Sequence, residues 1–206
     1  MVFVALRRSR VGRLYAAGTL WPVKDEARAS GNLRSVLWRL NQMDVSLLTV
    51  DKDCLLMSEH VVVDIYAVNA WAGRVIEGTA TPAELALIPT SVEALELVPG
   101  WYDDWALLER ERLRQRLLHA LEAQSRQLSA LGRHAEAVEA AMVAVGAEPL
   151  RESAQRVLVR AHLAEGNWVE ARRCLGVYAE LLDRELAARP SADLVDLVWN
   201  GPVTPR

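Results

Sequence analysis

A short pattern occurs twice in this chain. Gly132-Arg133-His134-Ala135-Glu136-Ala137 is matched, 34 residues later, by Gly166-Asn167-Trp168-Val169-Glu170-Ala171. A fixed period of this size implies a supersecondary unit stacked on its own copy, because one such unit cannot bury both of its apolar faces. The glycine is expected to end a helix where the backbone turns left-handed. His134 and Trp168 fill the same wedge, and Ala137 and Ala171 are small where the two helices of a pair cross. Pro149 closes the first unit. A long helix from Trp105 and a terminal helix near Leu194 are expected to cap the stack.

This period is that of the tetratricopeptide repeat. Grooves of such repeats generally bind proteins or other domains; the alternative is that the repeats only hold the chain compact. The rest of the back half also reads as helical. Asp64 is a good N-cap for residues 65–77, and Thr81-Pro82 opens a short helix. Val98-Pro99-Gly100 is a break, after which Asp103 or Asp104 caps the long helix to Leu131.

The front half has a different rhythm. Residues 1–7 read as the end of a helix, and Val11 to Leu20 as a second helix stopped by Trp21-Pro22. Pro22 to Arg28 reads as a charged connection and Ala29 to Gln42 as a third helix. The period then changes. Ser46 to Val50, the tight turn Asp51-Lys52-Asp53, and Cys54 to Met57 read as strand, turn and strand, and Val61-Val62-Val63 adds an extended piece. Helices followed by a small hairpin is the order of a winged helix. The expected organisation is therefore 1–63 and 64–200, with a tail at 201–206.

Charge divides the same way. Residues 1–63 hold nine Lys/Arg and six Asp/Glu, a net of +3, which leaves −6 for the remainder of a chain whose total is −3. A basic front and an acidic back suit a nucleic-acid module joined to a protein-binding one; the alternative is chance asymmetry. In the third helix Leu33, Val36, Leu37 and Leu40 share an apolar sector. The opposite face carries Gly31, Ser35, Trp38 and Gln42, flanked by Asn32, Arg34 and Arg39. Arginine can bond two acceptors of guanine, and Asn and Gln can do so on adenine. Arg28 and Lys24, just ahead of the helix, suit phosphates. The alternative is a solvated helix face. Trp38 lies away from the apolar stripe and is expected to pack against the helical back half; the alternative is that it lies against a sugar–phosphate backbone. The wing tip is net negative, so within it only Lys52 is a candidate contact.

Other chemistry finds little support. Cys54 and Cys174 lack a CxxC and read as free thiols of a reducing cytoplasm. His60, His119, His134 and His162 have no metal-ligand spacing. There is no GxxxxGK[ST], GxSxG or HExxH motif, so no cofactor, metal or enzymatic activity is expected. The apolar start precedes its arginines, unlike a signal peptide. No apolar run reaches membrane-spanning length, and no membrane partner is expected.

Several stretches resemble the Streptomyces-type antibiotic regulatory proteins (SARP) and their bacterial transcriptional activator domain (BTAD). They are Arg13-Leu14-Tyr15-Ala16-Ala17-Gly18-Thr19-Leu20-Trp21-Pro22, Ala29 to Leu40, Leu97-Val98-Pro99-Gly100-Trp101-Tyr102-Asp103-Asp104-Trp105, Glu148-Pro149-Leu150-Arg151-Glu152-Ser153 and Ala161 to Asn167. The resemblance implies a mostly α protein: a winged helix-turn-helix, then a tetratricopeptide-like activator domain. It places the recognition helix at Asn32 to Gln42 and the wing at Ser46 to Met57. Family members usually begin with a small sheet and a full first helix, so an N-terminally shortened, truncated unit is expected. The implied function is activation: binding double-stranded DNA at promoter repeats and contacting RNA polymerase, with a homodimer left open. The residues expected at DNA are Arg28, Asn32, Arg34, Ser35, Arg39, Gln42 and Lys52. The competing expectation is a protein-interaction module that has lost independent DNA binding.

Overall fold

A computed structural model describes residues 1–43, 46–89 and 97–199. It is mostly helical, with ten helices and three short strands among the described residues. The tail expected at 201–206 lies outside them. Two compact units are present: Met1–Val68 with Gly100–Glu109, and Asn69–Pro99 with Arg110–Arg206.

The front unit opens with α1 (Val2–Arg7), β1 (Val11–Gly12) and α2 (Arg13–Leu20). It continues with α3 (Glu26–Asn41), β2 (Leu48–Val50) and β3 (Cys54–Met57). The strands form an antiparallel sheet in the order β1-β3-β2, and Leu55 faces Val11 on one side and Val50 on the other. Leu55 is accordingly buried, and Asp51 N donates to Cys54 O at 2.9 Å to close the turn. Helix α2 packs against α3; Ala16 and Ala17 are buried on the first and Ala29 and Leu33 on the second.

Three expectations about the front change. Val11 and Gly12 are strand rather than helix: Val11 is β-branched, buried and paired with Leu55, a partner far along the chain that no local pattern reveals. The third helix begins at Glu26, not Ala29, because the Asp25 carboxylate accepts from Arg28 N at 2.8 Å and caps it. The acidic pair that reads as a charged connection is thus first-turn chemistry. Val61 to Val63 form no strand; Val61 N instead closes a turn onto Ser58 O.

Residues 100–109 complete this unit's aromatic packing. The buried Trp105 meets the Phe3 ring edge-on at 5.2 Å and Trp101 at 5.7 Å. Tyr66 Oη donates to Ala5 O at 2.6 Å, and the Arg8 guanidinium lies 4.3 Å from the Tyr66 ring centre.

Two helices, α4 (Asp64–Glu77) and α6 (Asp104–Ala130), have residues in both units. In the rear unit α5 (Pro82–Leu85) starts with a full capping box between Thr81 and Glu84. The remaining helices are α7 (His134–Ala147), α8 (Glu152–Ala164), α9 (Trp168–Leu186) and α10 (Ala192–Trp199). The repeated motif produces repeated geometry. Gly132 and Gly166 have φ of 75° and 83°. The residue after each glycine donates back to the end of its helix, Arg133 N to Leu128 O at 2.9 Å and Asn167 N to His162 O at 2.8 Å. This is the left-handed helix stop that glycine permits. His134 and Trp168 then begin α7 and α9, and Ala137 and Ala171 are fully buried.

The Glu148 to Ser153 stretch works as a clamp. Glu148 pairs with Arg114, and the Arg151 Nε donates to the buried Glu122 carboxylate at 2.6 Å. Ser153 Oγ donates to the same oxygen at 2.7 Å. Glu152 accepts from both the backbone and the hydroxyl of Ser191, tying α8 to the start of α10.

Candidate nucleic-acid interface

Helix α3 owes its orientation to two buried side chains and one cap. Ala29 and Leu33 fix its inner face, and Asp25 fixes its start. What points outward follows from the helical repeat. At about 100° per residue, Arg28, Asn32, Ser35, Arg39 and Gln42 fall within about 80° of one another. They form a single stripe one flank away from the buried pair. Asn32 is half-buried and the other four are exposed.

The polar chemistry of the stripe is mixed. Ser35 Oγ donates to Gly31 O at 3.1 Å, which leaves its oxygen as an acceptor. Arg28 Nε stands 3.4 Å from the capping Asp25 carboxylate, an exposed pair that solvent weakens. No ion pair engages Arg39 among the described residues, so its guanidinium donors face solvent.

Arg34 and Lys52 lie elsewhere. Arg34 is on the other flank of α3, facing an open depression of about 620 Å³ between the start of α2, α3 and the hairpin tip. Lys52 and Asp53 of the tip line the same depression, with Arg13 and Ser30. The expected site residues therefore separate into a stripe of five and a pair across the helix.

Sequence reasoning missed two arginines. Arg10 Nη2 contacts the Asp51 carboxylate at 3.1 Å, and Arg13 Nη1 donates to Lys52 O at 3.5 Å. Asp51 also accepts from Lys52 N at 2.6 Å. The hairpin's acidity is thus partly neutralised by a segment distant in sequence. The only available signal was that the stretch before α2 is basic. Trp38, beside the α3 stripe, is 66% exposed.

A second, smaller groove runs between the end of α3 and β2. It is lined by Leu37, Leu40, Met43, Leu47, Leu48 and Val50 among others. Among the described residues no group of His, Cys, Asp and Glu is arranged to hold a metal. No described helix is long and apolar enough to cross a membrane.

One protein-family model, described as the bacterial transcriptional activator domain, matches residues 66–198. That family is a regulatory one and not a family of enzymes. No curated protein matches the chain.

Proposed function

The chain belongs to the bacterial transcriptional activator domain family, and from that premise we propose that it is a DNA-binding activator of the antibiotic-regulatory-protein type. The organisation we assign is a winged helix over 1–63, a tetratricopeptide-like activator domain over 64–200 and a tail. The observation that carries the DNA reading is the stripe on α3. Asn32, Ser35, Arg39 and Gln42 present side chains that read base edges on an outward-facing helix of major-groove size, with Arg28 near its start suited to a phosphate. The hairpin that follows supports a wing, and Lys52 is its contact.

The rear unit then engages RNA polymerase while the front holds the promoter. Its stacked helices offer protein-binding surface, and residues 64–206 together carry a net charge of −6. The competing reading, a module without DNA binding, draws on the acidic hairpin tip. The contact of Arg10 with Asp51 weakens that objection. In vitro transcription with purified RNA polymerase tests the proposal. On a template carrying a site selected from random duplex by this chain, transcript yield should rise with chain concentration. Equal yield on a template with the site scrambled would overturn it.

A further inference from the structure

Two arginines that look equivalent in the sequence occupy different places on α3. Arg34 and Arg39 are about 140° apart around the helix axis. Both cannot address the floor of one groove in the same way. Arg39 shares its flank with Asn32, Ser35 and Gln42. Arg34 shares the opposite flank with a concavity whose polar lining is Arg13, Ser30, Lys52 and Asp53.

Three cations and one carboxylate line this concavity, and the Arg13 guanidinium donates to Lys52 O at 3.5 Å. The competing acid of the hairpin, Asp51, is already occupied by Arg10 at 3.1 Å and by Lys52 N at 2.6 Å. Asp53 is tied to α2 through its backbone, which accepts from Arg13 N at 2.9 Å. Among the described residues no ion pair engages the side chains of Arg13, Arg34 or Lys52. Cations grouped on three separate elements, around a depression with a hydroxyl at its edge, suit a compact tetrahedral anion better than the planar edge of a base.

We infer that this depression seats one backbone phosphate of the bound duplex, held by Arg13, Arg34 and Lys52. The inference rests on the DNA-binding reading above and deepens it. Arg34 is then a positioning residue that fixes the register of α3, while sequence is read from the Arg39 flank. Arg13, outside the recognition helix, joins the contact set.

The test measures binding of the full chain to its selected duplex and to a scrambled duplex across a salt series. Arg13→Ala and Arg34→Ala should weaken both duplexes by the same factor, on the order of tenfold, and each should lower the salt slope, by about 1 in all for the one phosphate they share. Arg34→Lys should keep the slope. Arg39→Ala should instead reduce the preference for the selected duplex. A single uncharged methylphosphonate, walked along the backbone, should weaken the wild-type chain at the seated phosphate and weaken Arg34→Ala less at that same position. If Arg34→Ala abolishes the preference, or leaves the salt slope unchanged while binding persists, the phosphate seat is wrong and the DNA reading stands. If the wild-type chain binds no duplex in a salt-dependent way, both are wrong. Circular dichroism of each variant separates these results from misfolding.

Discussion

The arginine pairs at the front hairpin and the start of α3 are exposed, whereas those that clamp the rear unit are partly or largely buried. In the rear unit four guanidinium groups sit in such pairs: Arg114 with Glu111 and Glu148, Arg133 with Glu136, Arg151 with Glu122 and Arg156 with Glu152. On α3 and the hairpin, Arg34, Arg39 and Lys52 engage no ion pair among the described residues. Arginine content alone therefore does not mark a binding surface. A paired guanidinium stabilises a junction, whereas an unpaired one on a helix with a fixed inner face remains available to a ligand.

The contrast can be broken most forcefully at Arg151. Its partner Glu122 has a side chain only 6% exposed. Arg151→Ala leaves that carboxylate buried without its cation, and chemical denaturation should show a loss of about 3 kcal/mol. Arg10→Ala, at an exposed pair, should cost under about 1 kcal/mol. Similar losses at the two sites would show that the rear pairs are no more structural than those of the front.

Gly166→Ala forces a side chain to adopt φ of 83°, and should cost about 1–2 kcal/mol. Gly31 sits within α3 with nothing within 4 Å of an added Cβ. There Gly31→Ala should stabilise by about 0.5–1 kcal/mol. Thermal unfolding of both variants gives the two signs directly.

These differences explain what the sequence made legible. The turns at Gly132 and Gly166 are local, so a repeated motif disclosed them. Helix α3 was visible from its apolar sector, although its start was misplaced because Asp25-Glu26 looked like linker. Strand β1 was missed, since only pairing with Leu55 makes a strand of two residues. Arg10 and Arg13 were missed for the same reason: they meet the hairpin through the fold, not through sequence proximity. The grouping of Trp105 with Phe3 is likewise non-local. The stripe on α3 was partly visible, but its separation from Arg34 emerged only with the depression beside it.

The smallest expected effect concerns pH. Burial pushes the Glu152 carboxyl up, but the hydroxyl and backbone N–H of Ser191 and the charge of Arg156 outweigh it and hold it below the ordinary value of 4.5. A depressed folded-state value means stability that is fully present above 4.5 and drains away as pH falls below it. Denaturation midpoints should therefore drop on acidification through that range, and Ser191→Ala should reduce the drop. An unchanged pH dependence in Ser191→Ala would remove Glu152 from the rear unit's clamps.

The most direct test of the central claim, that the α3 stripe reads DNA, is a parallel selection from a random duplex pool with the wild-type chain and with Arg39→Ala. The account predicts one enriched motif for the wild type and the loss of preference at one of its positions in the variant. An identical motif from both proteins, or no motif from the wild type while it remains folded, would contradict it.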